Sequence, residues 1–289
     1  MAGAEYVAGI GSLAGVFGGE YAAQLDRLGA ALRSKGVKGY SGARQGRGFG
    51  AGLDFADYRN YAPGDDPRRI DWKGYARSGR LFTKLFIQEK QASVCINIDR
   101  SRSMDYGMAN KMRFAKLLSA TIAYLALKNS DRVILFPMDG TQSLEVSAKT
   151  GFDAVLAFLE HMEPVGTDGR PQLRQGTPAS LEYTLSDFLY EDISLISGFV
   201  RPGGYACHIL DATELSPKLT EQITLRDAET HRELVVTPEM LVAYHQALDK
   251  LRDRISDVCK KTHAHYTRLQ TDTDMLLVLS SLYYVGTQP

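Results

Sequence analysis

Apolar residues recur at helical spacing over residues 20–34, where Tyr21, Leu25, Leu28 and Leu32 fall on one stripe, and this predicts an amphipathic helix. Gly36 and Gly39 end it. Residues 42–52 form a glycine-dense loop with Arg44 and Arg47, and residues 54–73 are polar and turn-rich, with the only tryptophan, Trp72, near their end. Over residues 81–87 the pattern becomes two-fold, with Leu81, Thr83, Leu85 and Ile87 facing one way and Phe82, Lys84 and Phe86 the other, which predicts a strand.

From Val94 the rhythm changes. The run Val94, Cys95, Ile96, Asn97, Ile98 ends at Asp99 and reads as a strand buried on both faces, as in a parallel sheet. A helix is predicted over 111–128 with Ala115, Leu118, Ile122 and Leu125 inward. Strands over 131–137 and 143–146 and a helix over 151–162 come next. The Pro/Gly-rich stretch after Met162 stands where a further helix is expected, before a short strand at 181–187. A strand at 205–211, a hairpin within 219–236 turning near 228–230, and a long helix over 238–260 follow. A strand at 265–269 and a helix at 274–284 complete the pattern. Alternating strands and helices predict an α/β fold with a Rossmann-like open, mostly parallel sheet over residues 93–289. Residues 1–92 are expected to hold the first helix and a smaller, mostly-β lobe, which the 219–236 hairpin could join.

Composition narrows the function classes. The chain has 289 residues, with Lys+Arg and Asp+Glu both 34, so no charge excess suits a polyanion and nucleic acid is not an expected partner. Three widely spaced cysteines, Cys95, Cys207 and Cys259, fit reduced thiols and a cytoplasmic location better than a disulfide framework. The uncharged stretch between Glu5 and Glu20 is interrupted by glycines and is shorter than the roughly 20 apolar residues a spanning helix needs, so stable membrane insertion is not expected.

Candidate chemistry concentrates at Asp99-Arg100-Ser101-Arg102-Ser103-Met104, between a buried strand and a helix. Such a loop lies at the carboxyl edge of the sheet, where open α/β sheets bind ligands. One carboxylate and two hydroxyls at alternate positions are hard oxygen donors suited to a small divalent cation, with places left for water or a partner's carboxylate. Asp187, at the end of the 181–187 strand, is the expected second carboxylate. The competing use of such a loop is to cap the next helix or bond its own backbone.

The D-x-S-x-S run, with a distant Thr and Asp, resembles the metal-ion-dependent adhesion site of von Willebrand factor type A domains. Upstream, Asp54-Phe55-Ala56-Asp57-Tyr58-Arg59-Asn60-Tyr61-Ala62-Pro63-Gly64-Asp65-Asp66, then Arg69-Ile70-Asp71-Trp72 and Ala76-Arg77, resemble the signature of the bacterial family called domain of unknown function 58. Asp131-Arg132-Val133 and Leu210-Asp211-Ala212-Thr213-Glu214-Leu215 fit the same pattern. This resemblance implies a von Willebrand factor A-type sheet and a non-enzymatic accessory protein. It would act with a MoxR-type AAA+ ATPase in assembling or activating client proteins. It also implies Mg²⁺, or Mn²⁺ or Ca²⁺, held by Asp99, Ser101, Ser103, Asp187 and a threonine. Thr167, in Val165-Gly166-Thr167-Asp168, matches the family's threonine better than Thr177 does.

Other motifs have plainer readings. Gly46, Gly48, Gly50 and Gly52 follow no strand and precede Asp54 rather than a helix with a lysine, unlike a phosphate loop. Asp54, Asp57, Asp65, Asp66 and Asp71 have Arg59, Arg68, Arg69 and Arg77 nearby and suggest a salt-bridged lobe organised around Trp72. His263 and His265, expected on one side of a strand, lack a neighbouring ligand cluster. No serine sits in a G-x-S-x-G elbow. The alternative functions are a hydrolase using Asp99 and Asp187 to activate water through a metal, for which no general base is evident, and a metal-free structural scaffold.

Overall fold

The computed structural model describes residues 12–34, 49–87, 92–147, 149–165, 171–175, 179–190, 192–226 and 232–285. It comprises a large unit, residues 1–40 with 92–289, and a small unit, residues 41–91.

Helices α1 (Leu13–Phe17) and α2 (Glu20–Ser34) come first. The predicted stripe of α2 is buried: Tyr21, Leu25 and Leu32 belong to the main core of the large unit. Grouping this helix with the small lobe of residues 1–92 is thereby corrected, because its apolar face completes the other unit's core. The Tyr21 hydroxyl lies 2.9 Å from that of Thr121, which donates to the Leu117 carbonyl. Tyr21→Phe should therefore lower stability by about 1 kcal/mol, read as a shifted urea midpoint with an unchanged slope.

The small unit contains β1 (Phe49–Asn60), α3 (Trp72–Ser78) and β2 (Phe82–Ile87), with β1 antiparallel to β2. Residues 54–60, expected to be turn-rich, are thus strand. Register shifts between Phe49 and Asp54 and between Phe55 and Asp57 interrupt the two-residue alternation that would have announced it. Arg59 pairs with Asp65 at 2.6 Å as expected, but Asp71 has Lys84 at 3.8 Å, and Asp66 caps the turn Pro67–Arg69. Trp72 is 58% exposed, with an edge contact to Tyr75. It is not the hub of this unit, since the seven-residue α3 on which it lies buries none of its residues.

The large unit is built on a six-stranded sheet. Its strands are β3 (Ser93–Ile98), β4 (Arg132–Pro137), β5 (Leu144–Val146), β6 (Leu181–Ser186), β7 (Tyr205–Leu210) and, after the hairpin β8 (Ile223–Arg226) and β9 (Glu233–Val236), β10 (His265–Gln270). The order is β10-β7-β6-β3-β4-β5, parallel throughout except for β5. Every residue of β3 is buried, as its unbroken apolar run requires. Successive side chains alternate faces: Val94, Ile96 and Ile98 enter the main core, whereas Cys95 packs with Ile134 and Phe136 on the other side.

The helices are α4 (Lys111–Lys128), α5 (Phe152–Glu160), α6 (Ile196–Phe199), α7 (Ala212–Leu215), α8 (Met240–Lys261) and α9 (Met275–Val285). Residues of α2, α4, α5 and α9 form one core with the sheet, and residues of α6 and α8 form a second with Ala206. The mixed α/β architecture with a mostly parallel sheet is the expected one. The hairpin β8–β9 forms a two-stranded sheet of its own within the large unit, and its predicted turn at 228–230 lies outside the described residues. His263 sits in a turn at φ 55° and His265 opens β10 with its ring 4.9 Å from that of Tyr205, so the two do not share a strand. All three cysteines are free and buried. Among the described residues no helix is long and apolar enough to cross a membrane.

Candidate metal centre

From β3 the chain runs to β4 and β5 on one side, then returns to β6 and β7 on the other. The order therefore reverses between β3 and β6, and the crevice at their carboxyl ends is where an open sheet of this kind receives a ligand. Asp99 follows β3 and Asp187 follows β6. The parallel register sets Ile98 opposite Leu185, and the Asp99 N–H donates to the Leu185 carbonyl at 3.0 Å, which brings Asp99 beside Ser186.

Asp99 is buried, and its hydrogen-bond donors are all neutral. Oδ2 accepts from the Ser186 hydroxyl at 2.5 Å and the Tyr190 hydroxyl at 2.8 Å, and Oδ1 accepts from the Ser101 N–H at 2.8 Å. Burial, then the nearby charge of Asp187, pushes the Asp99 carboxyl above its ordinary range, and the hydrogen bonds only partly offset this. Tyr190 is raised well above a normal phenol by burial and by Asp99, so its hydroxyl stays protonated as a donor. The hydroxyls of Ser101 and Ser103 lie 2.9 Å apart. Ser101 is the cap residue of the short turn Arg102–Met104 but makes no side-chain cap bond there, which removes the simple capping use of that serine.

Asp187 is equally buried, and its Oδ2 accepts from Lys111 Nζ at 2.8 Å. Lys111, the first residue of α4, also donates to Glu214 Oε1 at 2.7 Å. Burial alone would lower this ammonium's pKa, but the two carboxylates outweigh it and raise it. Glu214 Oε2 accepts from the Asp211 N–H, closing a capping box on α7. Asp211 takes hydrogen bonds from Thr213 and Thr271. Burial works against its ionisation, yet these bonds and the Ala109 N–H hold it below the usual carboxylate range. His208, beside Ser186 on β7, bonds the Tyr266 hydroxyl through Nδ1, and burial drops its pKa to about 4, so it adds no positive charge at neutral pH.

Four carboxylates (Asp99, Asp187, Asp211, Glu214) thus line the crevice with one ammonium among them. Among the described residues no three His, Cys, Asp or Glu side chains converge as a metal cage, and the candidate holders are one carboxylate, Asp99, with two serine hydroxyls, Ser101 and Ser103. Two hydroxyls, the Asp99 carboxylate and the surplus negative charge are the donor chemistry a small hard divalent cation takes. The residues present fit such an ion, with Asp99, Ser101 and Ser103 as its holders and Asp187 beside them.

Thr167 and Thr177 lie outside the described residues. The approach to Thr167 is tied to the Asp99 loop: the Val165 N–H donates to the Arg100 carbonyl at 2.7 Å, and the Arg100 guanidinium donates twice to the Glu163 carbonyl while pairing with Asp139. Sequence reasoning missed Arg100, Ser186, Tyr190, Lys111 and Glu214. Glu214 stood within the Leu210–Leu215 segment that fits the family pattern, and Lys111 carried a physical signal, a cation at a helix N-terminus, where acidic side chains are favoured.

A family model described as "Protein of unknown function DUF58" matches residues 57–253. The chain belongs to the DUF58 family. Uncharacterized proteins of Mycobacterium bovis and Mycobacterium tuberculosis are 26% identical to it over 251 residues, covering 78% of this chain and 77% of theirs. The DUF58 match spans Asp99, Lys111, Asp187 and Glu214, whereas Thr271 and Tyr266, which bond Asp211 and His208, lie beyond it.

Proposed function

We propose that this DUF58 chain is a non-enzymatic, divalent-metal-dependent protein-binding module of von Willebrand factor A type. Its expected partner is a MoxR-type AAA+ ATPase, with which it assembles or activates client proteins. The observation that carries this reading is a buried carboxylate, Asp99, that has only neutral donors and stands beside Asp187 and two serine hydroxyls at the topological switch point. A bound cation would supply a coordination place for a partner's carboxylate. Asp99 and the two serines would hold it, and Ser186 and Tyr190 fix the Asp99 carboxylate in place. Tyr106, Met108 and Leu189, on the loops after β3 and β6, are 51%, 88% and 55% exposed. Large apolar side chains around a polar centre suit a protein partner better than a small solute.

Calorimetric titration with Mg²⁺ or Mn²⁺ should show binding to the wild-type chain and none to Asp99→Ala. Retention of a MoxR-type ATPase on the immobilised chain should require Mg²⁺ and fail with chelator. Equal metal binding by Asp99→Ala would remove the assigned site, and retention indifferent to chelator would favour a metal-free scaffold.

A further inference from the structure

Lys111 is placed against two physical preferences. It opens α4, where the helix field favours anions, and it is fully buried, which penalises its charge. Its compensation is specific: Nζ reaches Asp187 Oδ2 at 2.8 Å and Glu214 Oε1 at 2.7 Å, and the ring of Tyr106 is centred 5.7 Å away. Glu214 is itself held by the capping box on α7, and Asp187 Oδ1 accepts the Leu189 N–H at 3.2 Å. Both carboxylates are therefore anchored independently of the lysine. The ammonium sits between the two carboxylates.

We propose that Lys111 sets the affinity of the crevice for divalent cations, its ammonium offsetting the charge of Asp187 and Glu214 and keeping Asp187 Oδ2 engaged. The inference rests on the metal-binding reading above and adds to it a residue that opposes binding. Electrostatics then dictates opposite signs for two neighbouring substitutions. Lys111→Met removes the competing positive charge and tightens cation binding. Glu214→Gln removes one attracting charge while its amide can keep the capping box, and it weakens binding. A purely architectural lysine would give the same sign, weaker binding, in both.

The full-length chain is titrated with MgCl₂ by calorimetry, and its thermal unfolding is followed with and without saturating Mg²⁺. Lys111→Met should bind about tenfold more tightly than wild type and gain more in Tm from Mg²⁺, whereas Glu214→Gln should bind more weakly. Equal or weaker binding by Lys111→Met, with wild type binding normally, overturns the role of Lys111 and leaves the metal site standing. Binding by Lys111→Met alone supports the role, wild-type affinity being suppressed. Absence of binding in every protein overturns the metal reading itself. If Lys111→Met folds only in Mg²⁺, that rescue supports the proposal. If it does not fold at all, Lys111→Gln, uncharged yet able to hydrogen-bond the facing carboxylates, takes its place: tighter Mg²⁺ binding there supports the proposal, and equal or weaker binding overturns it.

Discussion

Replacing Gly107 with alanine should cost about 3–5 kcal/mol of stability and disturb the crevice more than any conservative change elsewhere in the Asp99–Lys111 connection. Gly107 has φ +96°, a conformation L side chains rarely adopt, and an added Cβ would land within the van der Waals envelope of the Asp211 carboxyl group. Asp211 has no room to yield, because it is buried, receives bonds from Thr213 and Thr271, and caps α7. Two costs add: backbone strain and the loss of hydrogen bonds to a buried carboxylate. Denaturant unfolding reads the total. A variant within about 1 kcal/mol of wild type would mean that this loop can re-form without its positive φ.

Asp99→Asn should act in the opposite sense on the metal-free protein, raising its Tm at neutral pH while abolishing the response to Mg²⁺. The Asp99 carboxyl is pushed up on folding, first by burial and then by Asp187. A raised folded value means that the native chain holds this proton more tightly than the unfolded chain does. The associated stability is present below the ordinary carboxyl value of 3.8 and is lost as pH rises through the folded value. At neutral pH the Asp99 carboxyl is thus a net cost to the fold. Asparagine removes the charge and can keep the neighbours, its carbonyl accepting the Ser101 N–H and its amide facing the Ser186 and Tyr190 hydroxyls, which can rotate to accept. Each kcal/mol recovered should raise Tm by about 2–4 °C in a chain of this size, and the difference from wild type should shrink as pH falls. A variant less stable than wild type across that range would mean that Asp99 is compensated by a group other than those described.

The two predictions rest on residues of unequal visibility in the sequence. Asp99, Ser101 and Ser103 could be placed because a strand buried on both faces has a recognisable run of apolar residues, and the point where the run meets Asp99 fixes the sheet edge. Asp187 followed from the same rule applied to β6. Lys111 and Glu214 lie 103 residues apart and meet only because β3 and β7 end on the same edge, which no local pattern encodes. Strand β1 was hidden for a different reason, its register shifts resetting the alternation midway. The tryptophan misled because the salt-bridged lobe was expected to be organised around it, whereas α3, on which it lies, buries none of its residues.

Fourteen of the eighteen residues of α4 are buried. A helix of that length extends for about 27 Å, and this one carries Lys111 at its first residue and the Thr121 contact with Tyr21 farther along. A rod so encased cannot swing to meet a partner. On the proposed partner-binding reading, the crevice would be a preorganised platform that loses little conformational entropy on association, leaving the adaptation to the exposed side chains of the surrounding loops and to the partner.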